Sequence, residues 1–365
     1  MSTDTLSSTE SPNASVVGPP PVAERQSDAM CLPQLIELED GLIAASFRLM
    51  KLLPAKYVVD KAVREGRLGP ESSLVETSSG TYALGLGIVC SEHGVPFRIV
   101  SDPAIDDALR RRLEDLGGEV RIVSNNPSAG NLQVLRLREV QRHLAEHPGA
   151  FWPSQYHNEE NREAYRIFAE QLLAAVGGEL TLVGTVGSGG STSGTAEILR
   201  ESGTDLELVG VDTFGSVLFG LPVDRRVLRG LGNSIYPRNL IHSLYDEVHW
   251  VEAEDAFHHT RALHRRHALF QGPTSGAAYQ VARWIRRQRP DRPVVFICPD
   301  EGFRYQDTIY DDSWLRSENL LRHTPTPAPT AVHSLTEVTT PWVAFAWGRR
   351  TYEEVVGAAI PEDVS

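Results

Sequence analysis

Cysteine is scarce: Cys31, Cys90 and Cys298 are the only ones in 365 residues, and they stand far apart. That spacing excludes a disulfide framework and a CxxC metal site, and it points to a reducing cytoplasm. Long apolar runs are missing as well, because no stretch approaches the roughly 20 apolar residues of a membrane helix. Positive charge is in deficit. Lys and Arg number 35 against 48 Asp and Glu, a net of −13, so no concentration of cations is available for nucleic acid and a small-molecule substrate is expected. No internal repeat of fixed period occurs. From Met1 to about Ser27 there is neither a basic start nor a continuous apolar run, and the Ser, Thr, Pro and acidic residues predict a disordered tail, reaching about residue 30, in place of an export signal.

What is present suits an ordinary soluble core, with 41% hydrophobic residues in a chain long enough for two domains or one large α/β unit. Short apolar or β-branched runs at Ser73 to Glu76, Phe97 to Ser101, Glu119 to Val123, Leu180 to Val186, Leu206 to Val211, Val248 to Val251 and Val294 to Cys298 predict buried strands. Helical periodicity fills the gaps, as in Ala55 to Arg67 and in Ile105 to Leu116, which opens after Pro103 and stops at Gly117-Gly118. Alternating strand and helix predicts two doubly wound α/β domains with parallel sheets, whose ligands bind at the carboxyl ends of strands. The expected division is a smaller, mobile block over 46–165 and a larger one over 31–45 plus 166–322, with a cleft between them. Residues 323–365 form a C-terminal extension, opened by the extended Thr324-Pro325-Thr326-Pro327-Ala328-Pro329 linker and carrying an apolar Trp342 to Trp347 segment fit to dock.

Three constellations carry chemistry. Gly187-Ser188-Gly189-Gly190-Ser191 follows a strand and precedes a helix, so backbone N–H groups and the helix dipole can converge on one anion such as a phosphate. The plain alternative is a flexible turn, and the lack of a following Lys in a GK[ST] arrangement excludes a Walker loop. Ser78-Ser79-Gly80-Thr81 after the strand ending at Glu76 offers hydroxyls and helix-start N–H groups to a carboxylate, or simply an N-cap cluster. Lys51 sits between Met50 and Leu52-Leu53, where burial favours the neutral amine that condenses with an aldehyde. Lys56 and Lys61 on the following helix have the common role of solvated surface charges. Asp255, His258, His259, His264 and His267 suggest a metal group at first sight, but Arg261, Arg265 and Arg266 would repel a cation, so a solvated helix face is expected and no metal.

Taken in order, these segments resemble the cysteine synthase and cystathionine β-synthase family of fold-type II pyridoxal-phosphate enzymes, over about residues 46–315. Met50-Lys51 followed by Pro54-Ala55-Lys56-Tyr57 is similar to the segment with the cofactor lysine, and Glu76 to Tyr82 to the loop usually written TSGNTG. Gln155-Tyr156, Gly187 to Ser191, Gly272 to Ala278 and Pro299 to Tyr305 match later family elements in sequence order. Leu52-Leu53 stand where the family has Asp-Arg, and Thr81 and Tyr82 replace its Asn and Thr. Within the family, the PAKY stretch, the VLFG run in Asp212 to Gly220, Gly230-Leu231-Gly232 with Pro237, and YDDSWL at Tyr310 to Leu315 resemble a branch that joins O-phosphoserine and glutamate.

The resemblance implies pyridoxal 5'-phosphate bound covalently to Lys51, with Gly187, Ser188, Gly189, Gly190, Ser191, Thr81 and Thr274 holding the cofactor. It implies substrate binding by Ser78, Ser79, Tyr82 and Gln155 at the α-carboxylate, and by Arg136, Tyr156 and Arg226 at other anionic groups. It further implies a homodimer and an activated L-serine, O-phosphoserine or O-acetylserine, whose β-substituent leaves to give an aminoacrylate that an amine or thiol then attacks. A β-eliminating lyase acting on cysteine or serine, and a non-catalytic relative, are the competing readings.

Overall fold

The computed structural model describes residues 22–123, 132–228, 230–321 and 324–361. Two sheets organise it. The strands in chain order are β1 (Gln34–Glu39), β2 (Leu42–Ser46), β3 (Leu74–Thr77), β4 (Phe97–Ser101), β5 (Glu119–Ile122), β6 (Glu179–Thr185), β7 (Asp205–Asp212), β8 (Glu247–Val251), β9 (Val294–Cys298), β10 (Thr330–Val332) and β11 (Trp342–Ala346). β3, β4 and β5 form a parallel sheet, and the other eight form one sheet in the order β1-β2-β9-β6-β7-β8-β11-β10. Its centre, from β2 through β9, β6 and β7 to β8, is wholly parallel. Central strands covered on both faces need apolar residues at every position, and β9 is buried from end to end.

Every strand predicted from an apolar run is present, within a residue or so at its ends. The fold is the doubly wound α/β arrangement expected. The hairpin of β1 and β2 crosses onto β9, so the segment before Lys51 belongs to the larger sheet. The docking expected of the Trp342 to Trp347 segment takes the form of β11, which pairs antiparallel with β8, while β10 pairs parallel with β11. Trp347 is fully buried against Phe219, at a ring separation of 5.1 Å.

Two expectations need correction. The tail was expected to be disordered to about residue 30; residues 1–21 lie outside the described part, but Gln26–Met30 is a short helix. Ser27 anchors it through its N–H and hydroxyl, both bonded to the Glu92 carboxylate at 2.9 and 2.6 Å, which a composition of small polar residues does not reveal. The Ala253–His267 helix is not a uniformly wet face either: Asp255 and His259 are buried, His259 edge-on to Tyr279 of the neighbouring Pro273–Gln288 helix.

Candidate active site

Lys51 is delivered to the interior by its neighbours. Phe47, Leu49, Met50, Leu52 and Leu53 are all buried, and the N–H groups of Phe47 and Met50 donate to the carbonyls of Cys298 and Pro299 at 2.9 and 2.8 Å, tying the stretch to the end of β9. From the other side comes the Thr81–His93 helix. Gly85 allows its approach, since a Cβ there would stand 2.9 Å from the Lys51 carbonyl oxygen. The amine then donates to Ser188 Oγ at 2.9 Å. Lys51 as a whole keeps the partial exposure a reactant needs, while the protein packed around the amine drives its pKa down to about 8 against a smaller opposing pull from Glu76. Lys56 and Lys61, the other lysines of the chain, are engaged by Asp28 and Asp60, and by Glu160 and Glu163.

The glycine turn lies where β6 gives way to the Gly190–Glu201 helix. Gly189 is the N-cap with φ +79°, no side chain caps the helix, and a Cβ at Gly189 would come within 2.5 Å of Leu240 Cα. Only glycine fits. The uncapped first turn leaves backbone donors for an anion, with Ser188 and Ser191 buried beside it. Asn233 Nδ2 holds the turn by donating to the Gly187 carbonyl at 3.1 Å. Thr274 is buried at the start of the Pro273–Gln288 helix, and its methyl would touch a Cβ placed on Gly230, whose carbonyl faces Gly187. Thr274, Gly230 and the turn are thus brought together.

In the hydroxyl turn the roles divide. Ser78 Oγ accepts from the N–H groups of Gly80 and Ala83, both at 3.2 Å, which is the capping role weighed above. Ser79 and Thr81 stay half-buried. Arg136 Nη1 donates to Ser79 Oγ at 3.2 Å and pairs with Asp102 at 3.0 Å. Gln155 is buried, its Nε2 bonded to the Thr77 carbonyl at 2.7 Å. Tyr82 is set deeper, its hydroxyl donating to Asn161 Oδ1 at 3.2 Å and its ring centroid 6.0 Å from Lys51 Nζ. Burial pushes the Tyr156 phenol up, with Arg136 opposing, and burial brings the Arg226 guanidinium down, with Asp212 and then Tyr156 opposing. Arg136, Tyr156 and Arg226 therefore share one neighbourhood. Arg226 also donates to the carbonyls of Gly215 and Asn233 at 2.7 and 3.1 Å.

Bonds between segments distant in the chain complete the site. Arg304, within the Pro299 to Tyr305 motif, donates two hydrogen bonds to Asp106 at 3.2 and 2.6 Å, and Ser234 donates to Gln133 at 3.1 Å. Sequence reasoning did not single out Asp106, Gln133, Asn233, Ser234 or Glu76 as site residues. Only Glu76 carried a usable signal, an acid at the end of an apolar run just before a hydroxyl turn.

These residues fit pyridoxal phosphate. An amine with a pKa near 8 lies against a glycine turn whose helix start is uncapped, and Gly189 has no room for a side chain. A match to the family model for pyridoxal-phosphate dependent enzymes covers residues 17–300. N-(2-amino-2-carboxyethyl)-L-glutamate synthase of Cupriavidus metallidurans is 36% identical over 268 residues, which is 72% of this chain and 79% of that protein. The enzyme of the same name from Ralstonia nicotianae is 33% identical over 297 residues, 78% of this chain and 88% of its own. The crystal structure of cysteine synthase from Entamoeba histolytica superposes with a TM-score of 0.75 at 20% identity, covering 86% of this chain and all of that one, so the fold is shared. The chain belongs to the family of pyridoxal-phosphate dependent enzymes, with the fold of cysteine synthase.

Proposed function

We propose that this protein catalyses β-replacement on an activated L-serine, O-phosphoserine or O-acetylserine, joining its β-carbon to an amine or thiol to give a diaminopropionate- or cysteine-type amino acid. The observation that carries the reading is the Lys51 amine, depressed to about 8 and bonded to Ser188 in an uncapped glycine turn. When bound, pyridoxal phosphate supplies an aldehyde for covalent attachment and an electron sink for bonds at Cα.

The chain's own residues do the rest. Lys51, neutral in mildly alkaline solution, accepts and returns the proton at the substrate's Cα. Ser79 and Thr81, with the N–H groups of the turn that Ser78 shapes, bind the α-carboxylate, and Gln155 backs them, so the bond to be broken is held in one orientation. Arg136, Tyr156 and Arg226 receive a second anionic group, either the leaving phosphate or a carboxylate of the nucleophile. Thr274 brings a neutral hydroxyl to the cofactor pocket where a carboxylate would favour transamination. Closure of the smaller block, fastened by Arg304 and Asp106, excludes water.

The two relatives are named for a product in which glutamate nitrogen bears an amino-carboxyethyl group, and that likeness favours the amine of an acidic amino acid as nucleophile. Mass spectrometry of products from O-phosphoserine, O-acetylserine and cysteine, each offered with a panel of amines and thiols, tests the proposal. A substituted amino acid formed only when both partners are present is expected. Keto acid and ammonia released at full rate from a single amino acid would replace it with a lyase.

A further inference from the structure

Glu76 is the penultimate residue of β3 and has no exposed surface at all, next to the core residues Leu74 and Val75. Packing alone asks for an aliphatic side chain here, and a buried carboxylate is costly unless donors surround it. They do. Oε1 accepts from Thr77 N at 2.7 Å and from Trp152 Nε1 at 3.1 Å, and Oε2 accepts from Gln155 N at 3.1 Å. Thr77 leads into the hydroxyl turn, while Trp152 and Gln155 lie on the segment that runs into Tyr156. One side chain therefore joins the two segments assigned to substrate. The second strap is the bond from Gln155 Nε2 to the Thr77 carbonyl, which shares the same two segments.

The charge of the carboxylate is also felt at the reacting end. Burial is the larger influence on each group, but the Glu76 charge favours the protonated form of Lys51 and adds to the rise of the Tyr82 and Tyr156 phenols. Burial pushes the Glu76 carboxyl itself up to about 7, so it is ionised in mildly alkaline solution.

We propose that Glu76 is a positioning residue of this site: it fixes Gln155 and Tyr156 against the hydroxyl turn and supplies the negative charge that the Lys51 nitrogen faces. The proposal rests on Lys51 being the cofactor lysine, and its test separates the two. Glu76→Gln keeps the shape but turns an amide N–H toward donors that now lack an acceptor. In the full-length holoenzyme the variant is expected to keep the visible absorbance of the lysine-bound cofactor. KM for O-phosphoserine should rise by about tenfold with a smaller loss in kcat. The pH at which the absorbance changes should move down, because the protonated nitrogen has lost its negative neighbour.

Glu76→Asp keeps the charge but withdraws it by one methylene, so KM should rise while the absorbance titration stays closer to the parent. Trp152→Phe removes one donor without touching the carboxylate, and it provides the same KM reading should Glu76→Gln fail to fold. Parental KM and parental titration in Glu76→Gln, or parental KM in both other variants, would overturn the proposal. Absence of the visible band from the parent enzyme would instead sink the Lys51 assignment, whatever Glu76 does.

Discussion

The amine of Lys51 touches the hydroxyl of Ser188, 2.9 Å away and 137 positions later in the chain. One residue follows β2 and opens the Leu52–Arg64 helix, and the other lies in the glycine turn after β6, so the contact joins segments that follow two strands of one sheet. Removing the amine should leave that scaffold standing. Lys51→Ala is expected to lose turnover by at least about 10²-fold together with the visible cofactor absorbance, at nearly parental thermal stability. Borohydride reduction followed by peptide mass mapping should place the cofactor on Lys51 and on neither Lys56 nor Lys61. Label at Lys56 or Lys61 would refute the assignment.

Cofactor capture should carry the signature of the depressed amine. Protonated Lys51 cannot attack an aldehyde, so the rate at which cofactor-free protein takes up pyridoxal phosphate should climb with pH and level off above about 8. An exposed lysine would keep climbing toward about 10.4. Stopped-flow absorbance from about pH 6 to about 10 gives the profile directly.

Gly189 offers a backbone test. Its φ of +79° and the nearness of Leu240 leave no place for a methyl group. Gly189→Ala should incur about 1–2 kcal/mol from the left-handed conformation, plus the shift forced on Leu240. Cofactor affinity, followed by absorbance titration, should weaken by at least about tenfold.

Arg226 distinguishes the substrates. If it holds a second anion, Arg226→Gln should raise KM for O-phosphoserine by about tenfold or more and leave O-acetylserine little changed, when the same nucleophile is used. Equal losses with both would move Arg226 from recognition to support of the loop through Gly215 and Asn233.

Trp347 reports on the C-terminal extension. A fully buried indole between Phe219 and His242 is a core residue by any measure. Trp347→Ala should cost about 3–5 kcal/mol in urea unfolding monitored by circular dichroism. A loss under 1 kcal/mol, about what a surface substitution gives, would mean the extension is dispensable to the core.

How much of this was legible in the sequence follows from what each segment buries. Strands such as β6 and β9, covered on both faces, appear as unbroken apolar runs and were read nearly to the residue. β1 leaves Gln34, Glu37 and Glu39 exposed and only partly covers the rest, so its pattern is faint. The Lys51 stretch and the glycine turn announced themselves through composition. Glu76 carried a signal of a weaker kind, because an acid at a strand end usually marks the surface, and only the donors Trp152 and Gln155 arriving from elsewhere in the chain reverse that meaning. The pairing of Arg304 with Asp106 was hidden too, since an ion pair between distant segments leaves no trace in local pattern.

The added strands β10 and β11 also decide how the larger sheet ends. Without them β8, with its buried Trp250, would present a free ladder of donors and acceptors beside apolar side chains, an invitation to stacking with another chain. With them the last strand spans only Thr330–Val332, too short to template much. The extension thus leaves that side of the sheet with a free edge of three residues.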